Sequence, residues 1–336
     1  MKAVAAQNGR VFVTELDIPG LLPGHILVRT EYSAISPGTE MTMMRNSGDT
    51  PIILGYNAVG IVERTGEGVE GLKAGDRVAC YGAPYVRHAE YLAVPANLTA
   101  KVPDHVDPRE AAYSGLGAVA IHALRTAQLQ FGESVVVVGL GILGNLIAQI
   151  ANAAAFRTAG LDLQQERAVK LKEAGIRHVY ADPAELEGNL ADVTGGSGAD
   201  AVLLCAGGPG EALINRAMEW LRDRGKIVIV GDLATAFSRN AMFAKEVQVL
   251  ISRAGGPGRY DPGYERDNRD YPIGYVRWTE GRNVSEFVRL LAEKRISVAP
   301  LITHEVPFER APEAYDLYRQ GASGVIGTLL RHGASS

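Results

Sequence analysis

The N-terminal third of the chain alternates short apolar runs with turn residues, a pattern typical of β-strands. Glycine, proline and aspartate bound these runs, as in IPG, LLPG and KAGD. The runs read HILVRTEYSAI, NAVGIVERTG, DRVACYG and AEYLAVP. The pattern therefore predicts a β-rich region at the start of the chain.

The pattern changes at Pro108, where small and apolar residues recur at helical spacing as far as Gln128. After this, almost continuously apolar strands alternate with helices. The predicted strands are ESVVVVG, RTAGLD, RHVYA, ADAVLLCAG, KIVIVG and VQVLIS, and the helices are ILGNLIAQIANAA, QQERAVKLKEAG, PAELEGNLADV and EALINRAMEWLRD. Strands of this kind are buried on both faces, so we predict a doubly wound parallel sheet and an α/β fold.

A third region follows Ser252 with a long segment rich in glycine, proline, tyrosine and charge, RAGGPGRYDPGYERDNRDYPIGYVRWTEGRN. A loop of this length is usually functional or disordered, and its aromatic content argues against disorder. The tail then predicts helix VSEFVRLLAEKR, strand LITHEVP, helix PEAYDLYRQG and strand GVIGTLL. We expect this tail to return to the first β region, so that residues 1–112 and 254–336 form one domain and residues 113–253 form an inserted second one.

Composition supports two globular domains and excludes several classes of function. The chain has 336 residues, 46% of them apolar and 21% charged, with a net charge of −4. Because lysine and arginine do not cluster, a nucleic-acid or anionic-membrane partner is not expected. Cys80 and Cys205 fit neither a disulfide framework nor a cysteine-rich zinc lobe. The N-terminus does not read as a signal peptide, and no apolar run is long enough to span a membrane. We expect a cytoplasmic protein.

A GxGxxG motif lies directly after the predicted strand VVVV and opens a helix. In this context the first glycine permits a tight turn, the second lets backbone approach a pyrophosphate, and the third allows helix and strand to pack closely. The positive helix end would hold the phosphates. We therefore predict a dinucleotide site at Gly139, Gly141, Ile142, Leu143 and Gly144.

Asp162 ends the next strand, 23 residues after Gly139, near the spacing of about 20 expected for an acid that binds a ribose diol. A carboxylate there would repel a 2′-phosphate, so we expect NAD rather than NADP. There are two alternatives: Asp162 only caps the helix that follows, or Arg167 binds a 2′-phosphate. Further cofactor residues are expected where later strands end, at Cys205, Ala206, Gly207 and Gly231.

The order of these regions, with the phrases GYNAVGIVERTGEGVEGLKAGDRVA, AEYLAVP and VVVVGLGILG, resembles the medium-chain dehydrogenase/reductase superfamily over nearly the whole chain. The resemblance implies a GroES-like catalytic domain, a Rossmann domain, an active cleft between them and a homodimer or homotetramer. The SPGTE loop resembles a branch that includes bacteriochlorophyllide dehydrogenase and dehydrogenases of sugars or cyclitols.

The chain departs from the zinc enzymes of this superfamily at their metal ligands. Pro37 stands where the first ligand, a cysteine, is expected, and Tyr56 stands at the position of the histidine. The third ligand falls around Gly115 and Leu116, and the lobe of four cysteines is missing. Catalytic zinc needs about three N, S or O ligands from the protein. We therefore expect no zinc, since rescue by His88 and Glu40 has no support.

Without a metal, hydrogen-bond donors must stabilise the developing alkoxide. The resemblance aligns Tyr56 with a position that faces the nicotinamide and Thr39 with the hydroxyl that relays protons. We therefore expect a Thr39–Tyr56 pair, with His88 as the outer proton acceptor. Tyr56 would exchange a proton if its pKa were lowered, or would only form an aromatic wall. The alternatives are that Thr39 is only a turn residue and that His88 is only a surface histidine.

Candidate substrate ligands lie next to this pair and in the long segment after Ser252. Glu40 would either bind a sugar hydroxyl or only cap a helix. The long segment would either line the substrate site, fold over itself or contact a second subunit. The candidates are Glu40, Asn57, Arg253, Tyr271, Tyr275, Arg277 and Trp278.

These features predict an NAD-dependent, zinc-independent oxidoreductase that interconverts a secondary alcohol and a ketone on a polyhydroxylated small molecule. An NADPH-dependent quinone or enone reductase is the first alternative. An epimerase or lyase that retains NAD is the second, and a nucleotide-binding protein without turnover is the third.

Overall fold

The computed structural model describes residues 1–333 and divides into two compact units. The first unit consists of Met1–Ala118 and the segment that begins at Ala254, and the second is Val119–Arg253. The first boundary thus falls after Ala118, inside a helix, rather than after residue 112 as the sequence suggested. The second boundary agrees with the predicted one.

The strands, numbered in chain order, are β1 Lys2–Gln7, β2 Arg10–Glu15, β3 His25–Ala34, β4 Ile52–Ile53, β5 Asn57–Thr65, β6 Arg77–Tyr81, β7 Tyr91–Pro95, β8 Thr99–Lys101, β9 Ser134–Val138, β10 Arg157–Leu161, β11 His178–Tyr180, β12 Ala199–Leu204, β13 Leu221–Ile229, β14 Gln248–Ile251, β15 Ile302–Pro307 and β16 Gly327–Arg331.

The helices are α1 Pro37–Arg45, α2 Pro108–Ala111, α3 Ser114–Ala127, α4 Ile142–Ala153, α5 Gln165–Glu173, α6 Pro183–Thr194, α7 Glu211–Trp220, α8 Arg239–Ala244, α9 Glu280–Ala292 and α10 Ala311–Arg319. Short 3₁₀ turns cover Ala96–Leu98, Ala299–Leu301 and Phe308–Arg310. None of the helices within residues 1–333 combines the length and the apolar character needed to cross a bilayer.

The first unit is built on a seven-stranded sheet in which β16 from the tail pairs antiparallel with β3 near the N-terminus. Leu329 lies opposite Ala34 in this pairing. The order is β15-β16-β3-β5-β6-β8, with β7 also paired to β3, and β2-β1-β4 form a second sheet. The prediction that the tail rejoins the first β region is therefore confirmed.

The second unit is a parallel sheet in the order β11-β10-β9-β12-β13-β14. Counted from β9 this is 3-2-1-4-5-6, the order of dinucleotide-binding sheets, so the doubly wound fold is confirmed. All five residues of β9, SVVVV, are buried, as expected for a central strand of β-branched residues covered by helices on both faces.

Two details of the second unit differ from the prediction. Helix α7 ends at Trp220 rather than at Asp223, because Leu221 pairs with Ala199 and already belongs to β13. Helix α8, whose start is capped by the Ser238 hydroxyl, was not predicted.

Candidate functional site

The glycine-rich loop connects β9 to α4, and its backbone requires glycine at two positions. Gly139 has a φ of +89°, a conformation that side chains rarely tolerate. Gly141 is the N-cap of α4, and a β-carbon there would meet no atom within 4 Å, so the space next to the positive helix end is open. A β-carbon at Gly144 would lie 1.8 Å from the carbonyl oxygen of Gly139. The loop is thus shaped to let a phosphate approach the backbone.

The turn that follows β12 lies against this loop, and the turn that follows β13 lies against the turn after β12. A β-carbon at Gly139 would lie 2.9 Å from the backbone nitrogen of Ala206, and one at Gly231 would lie 2.1 Å from the Ala206 carbonyl oxygen. Burial raises the pKa of the Cys205 thiol to about 12, so Cys205 is not a thiolate nucleophile. Gly207 follows directly at the exposed end of the turn.

Asp162 braces the glycine-rich loop from the end of β10. Its Oδ2 accepts the backbone N–H of Leu140 at 2.7 Å, and its Oδ1 accepts that of Gln164 at 2.8 Å. Arg167 lies 3.5 Å from the same carboxylate, and its Nε has no partner within the described residues. Asp162 therefore holds the glycine-rich loop in addition to capping the segment before α5, and Arg167 lies beside it.

Tyr56 lies between β4 and β5 in the first unit, and its hydroxyl donates a short hydrogen bond to the Ser36 hydroxyl. Gly55 positions it, because a β-carbon there would lie 2.5 Å from the backbone nitrogen of His88. Burial raises the pKa of Tyr56, although the nearby side chains of Ser36, Thr39 and Asn57 act in the opposite direction. The lowered pKa that a tyrosine base would need is therefore absent, and the phenol stays neutral.

Thr39 and Tyr56 come together as the sequence predicted, since the Thr39 side chain is one of the groups that affect the Tyr56 pKa. Thr39 is exposed in the first turn of α1. The pair therefore combines one exposed hydroxyl with one partly buried phenol.

His88 is not the solvent-near histidine that the sequence suggested. It is fully buried, and both ring nitrogens are engaged, Nδ1 with Ser33 Oγ at 2.7 Å and Nε2 with Glu40 Oε2 at 2.9 Å. Ser33 in turn meets His332 Nε2 at 2.8 Å. His88 therefore cannot serve as an outer acceptor in contact with water, and that expectation is corrected.

Glu40 is likewise fully buried, so its assignment to a substrate hydroxyl is corrected. Its Oε1 accepts the backbone N–H of Ser36 at 2.8 Å, and its Oε2 accepts the Tyr315 hydroxyl at 2.5 Å besides meeting His88. Both carboxylate oxygens of Glu40 are thus occupied by groups of the protein itself. Glu40 instead fixes the start of α1, where Ser36 receives the Tyr56 hydroxyl.

The predicted substrate residues of the long segment are placed differently from one another. Tyr271 stacks on Tyr264 at 5.3 Å between ring centroids and donates a short hydrogen bond to Asp261, so it holds the segment together and is not a free substrate ligand. Tyr275 is 91% exposed. The Arg277 guanidinium lies 3.8 Å from the centroid of the Trp278 ring. The alternative that the segment folds over itself thus applies to Tyr271. Arg277 and Trp278 form a stacked pair. Arg253 is the last residue of the second unit.

The positions where zinc ligands were expected carry unsuitable side chains. Pro37 has no donor, Tyr56 is a neutral phenol, and a β-carbon at Gly115 would lie 1.9 Å from Asn57 Oδ1. A larger side chain at Gly115 is therefore excluded without rearrangement. Over residues 1–333, no group of three or more histidine, cysteine, aspartate or glutamate side chains is arranged to hold a metal ion.

One functional candidate was missed by the sequence. Glu280, the first residue of α9, is fully buried, and neither carboxylate oxygen has a hydrogen-bond partner within the described residues. Burial raises its pKa to about 8. An acid in the first turn of an amphipathic helix is common at exposed helix starts, so no local pattern marked it.

Together, a 3-2-1-4-5-6 parallel sheet with a glycine-rich loop and a β-rich unit completed by the tail define a dinucleotide-binding oxidoreductase. The model of the alcohol dehydrogenase GroES-like domain matches residues 22–104, and that of the zinc-binding dehydrogenase matches residues 139–266. The chain belongs to the medium-chain dehydrogenase/reductase superfamily and is an enzyme.

Similar proteins include enzymes named as a sorbitol dehydrogenase and as a D-xylulose reductase. Sorbitol dehydrogenase of Halalkalibacterium halodurans is 27% identical, covering 96% of this chain and 97% of its own. D-xylulose reductase of Saccharomyces cerevisiae is 26% identical, covering 93% and 92%. The solved structure of galactitol-1-phosphate dehydrogenase from Escherichia coli is 22% identical with a TM-score of 0.80 over 99% of this chain and all of its own, a likeness of fold.

Proposed function

We propose that this enzyme interconverts a secondary alcohol and a ketone on a polyhydroxylated small molecule, with NAD as cofactor and without zinc. The observation that carries the proposal is the neutral phenol of Tyr56, hydrogen-bonded to Ser36, at the position where zinc enzymes of the superfamily have a histidine ligand. The names of the relatives, sorbitol dehydrogenase and D-xylulose reductase, support a polyol as substrate.

The residues of this chain supply or accept the substrate proton and stabilise the negative charge that develops on the substrate oxygen. Bound NAD would supply the hydride acceptor, held by the glycine-rich loop of the second unit. Because burial keeps Tyr56 protonated, its hydroxyl donates to a ketone oxygen and stabilises the negative charge that develops there. Ser36 orients the phenol in the absence of substrate, and Thr39 offers a second hydroxyl next to it.

The donor set argues for catalysis without a zinc ion. Proline and tyrosine stand at two of the three ligand positions and glycine or leucine at the third, whereas zinc prefers thiolate, imidazole or carboxylate. His88 and Glu40 face each other at 2.9 Å inside the fold, so they do not supply a replacement set.

Asp162 favours NAD, because a carboxylate at the ribose end repels a 2′-phosphate. Arg167 at 3.5 Å offsets part of this charge, which makes NADP the cofactor to compare. A cytoplasmic location stays a prediction from the sequence.

The decisive experiment is a screen for NAD reduction with sugar alcohols, inositols and amino-cyclitols, run with NADP in parallel and with and without a strong chelator. We expect NAD-dependent activity on at least one polyol, unchanged after chelation. Activity that disappears on metal removal and returns with zinc would refute the zinc-free mechanism. Nicotinamide absorbance in the purified protein would instead favour an epimerase or lyase that retains NAD.

A further inference from the structure

Two buried polar side chains of the first unit lack the hydrogen bonds that such groups normally make. Asn57 and Glu280 are both fully buried, and within residues 1–333 the amide Oδ1 and Nδ2 of Asn57 and both carboxylate oxygens of Glu280 have no partner. Buried polar atoms are nearly always satisfied, either by protein or by internal water. Over residues 1–333 the first unit has seven such side-chain atoms, and four of them belong to Asn57 and Glu280.

Tyr81 connects these two side chains. A β-carbon at Gly115 would lie 1.9 Å from Asn57 Oδ1 and 2.4 Å from Tyr81 Cδ2. A β-carbon at Gly255 would lie 2.7 Å from Tyr81 Cε1 and 3.1 Å from Glu280 Cβ. One edge of the Tyr81 ring thus adjoins Asn57 and the opposite edge adjoins Glu280.

The same cluster reaches the proposed catalytic phenol. The Tyr56 and Tyr81 rings meet edge to face with 6.0 Å between their centroids, and Asn57 is among the groups that affect the Tyr56 pKa. The order from the catalytic phenol into the fold is therefore Tyr56, then Asn57 with Tyr81, then Glu280. We call these four residues the buried polar row.

The charges around Glu280 explain why it can hold a proton at neutral pH. Arg259 donates to Glu265 at 2.5 Å, so its positive charge is already matched by one carboxylate. A second carboxylate there would be an uncompensated buried charge. Burial first, and then the Glu265 carboxylate, through its charge and through a hydrogen bond that only protonated Glu280 can donate to it, raise the pKa of Glu280 to about 8, while Arg259 acts in the opposite direction. The titratable or charged groups that interact with Glu280 are Arg259, Glu265, Tyr81, Tyr264 and Tyr271.

We propose that the buried polar row is a proton path, bridged by internal water at Asn57, in which Glu280 supplies and takes up the proton that Tyr56 exchanges with the substrate. Glu280 acts through Tyr56 and does not touch the reacting atoms, so it is a positioning residue for the proton rather than a catalytic one. This inference rests on the proposed function for the substrate end of the path.

The proton balance is simple in both directions. In ketone reduction the reduced cofactor would supply a hydride to the carbonyl carbon, while the Tyr56 O–H bond breaks and its proton bonds to the substrate oxygen. Tyr56 then regains a proton along the row, and Glu280 is left as a carboxylate until it is reprotonated from bulk water between turnovers. In alcohol oxidation Tyr56 gives its own proton to the row as it accepts the proton of the substrate hydroxyl, the cofactor would accept the hydride, and Glu280 must be ionised beforehand to receive the proton. Reduction therefore requires the acid form and oxidation requires the carboxylate.

The test compares pH profiles of wild-type protein with Glu280→Gln, which keeps the shape but cannot titrate. In the wild type, kcat/KM for ketone reduction should fall above about pH 8 by about tenfold per pH unit, as expected for a single ionisation, whereas oxidation should rise through the same range. In Glu280→Gln this ionisation should vanish from both profiles and reduction at pH 7 should fall about tenfold. Glu280→Asp should restore the pH dependence.

The matched control is Glu286→Gln on the same helix, where the carboxylate pairs with Arg289 and lies away from the row. It should leave both profiles unchanged. An infrared titration of the cofactor-free protein from pH 6 to 10 provides a readout without activity. A carboxylic-acid C=O band should disappear near pH 8 in wild-type protein and be missing in Glu280→Gln.

Two results would overturn the proton path: an ionisation near pH 8 that persists in Glu280→Gln, or a wild-type infrared titration with no such band. These results differ from failure of the proposed function. A protein that oxidises no polyol would refute the function while the infrared titration still reports on Glu280, and polyol oxidation without the band would refute the path alone.

Discussion

At the residue scale, the proposed chemistry depends on one oxygen atom, the hydroxyl of Tyr56. Replacing Tyr56 with phenylalanine keeps the ring that packs against Tyr81 and removes only the group that donates to Ser36 and to substrate. We expect turnover to fall at least about tenfold, because positioned proton donors contribute this much or more. The affinity for NAD should stay nearly unchanged, since the cofactor motif lies in the second unit.

Steady-state kinetics and a separate titration with NAD measure these two effects. Tyr318→Phe is the control, because it also removes one phenolic hydrogen bond in the first unit, the 2.8 Å bond to Thr328, without touching the site. Stability should change by only about 1 kcal/mol in either variant. Full turnover in Tyr56→Phe would contradict the role of the phenol.

The sequence predicted individual residues well where backbone geometry alone demands a residue type. Gly139 and Gly144 are of this kind, because a tight turn and a close backbone contact exclude a side chain. It failed for Glu40, His88 and Glu280, whose roles depend on burial and on partners far away in the chain. His88 is 48 residues from Glu40, and no local pattern indicates that the two side chains meet.

At the scale of elements, the Glu40–His88 pair ties α1 to the segment that leads into β7, and the Tyr315 hydroxyl adds α10. We expect Glu40→Ala to destabilise the protein by about 3 kcal/mol, because it leaves His88, Tyr315 and the Ser36 N–H without their buried acceptor. Urea unfolding followed by circular dichroism measures this change.

Glu309→Ala is the matched control, since Glu309 is 54% exposed and only 3.8 Å from Lys2 in a surface ion pair. Its effect should stay below about 1 kcal/mol. If Glu40→Ala unfolded at the same urea concentration as the control, the pair would not be a structural tie between these elements.

Element types were predicted where the hydrophobic period was strong, and ends were predicted less well. The apolar strand β9 and the amphipathic helix α9 are examples of the first kind. Helix α7 ends three residues earlier than predicted, because the pairing of Leu221 with Ala199 competes with one more turn of helix. The partner strand lies about 20 residues away in the chain, outside the local window from which the end of the helix was predicted.

At the scale of the whole chain, local pattern gives the order of elements but not which strands pair. The pairing of β16 with β3 joins residues about 300 positions apart, and the sequence predicted only that the tail returns to the first β region, not which strands pair. The boundary after Ala118 lies inside α3, a continuous helix whose pattern does not change there. The contacts of the structure therefore place this boundary six residues beyond the predicted one, whereas the boundary after Arg253 falls where the sequence pattern changes.

The edge strand β14 supports the prediction that the enzyme is a homo-oligomer. In the described part of the chain β14 pairs with β13 on one side only, and Ile251 at its end is 72% exposed. An apolar edge strand offers unpaired backbone groups to a second copy of the same strand, whereas a lysine there is a common device against edge pairing. We therefore expect the wild type to elute as a dimer or tetramer and Ile251→Lys to shift toward monomer at the same concentration, measured by size exclusion with light scattering. Phe131→Lys, at a position that is 87% exposed and outside any strand, should leave the assembly unchanged. A wild-type monomer, or an Ile251→Lys protein that assembles like the wild type, would show that this edge does not form the subunit interface.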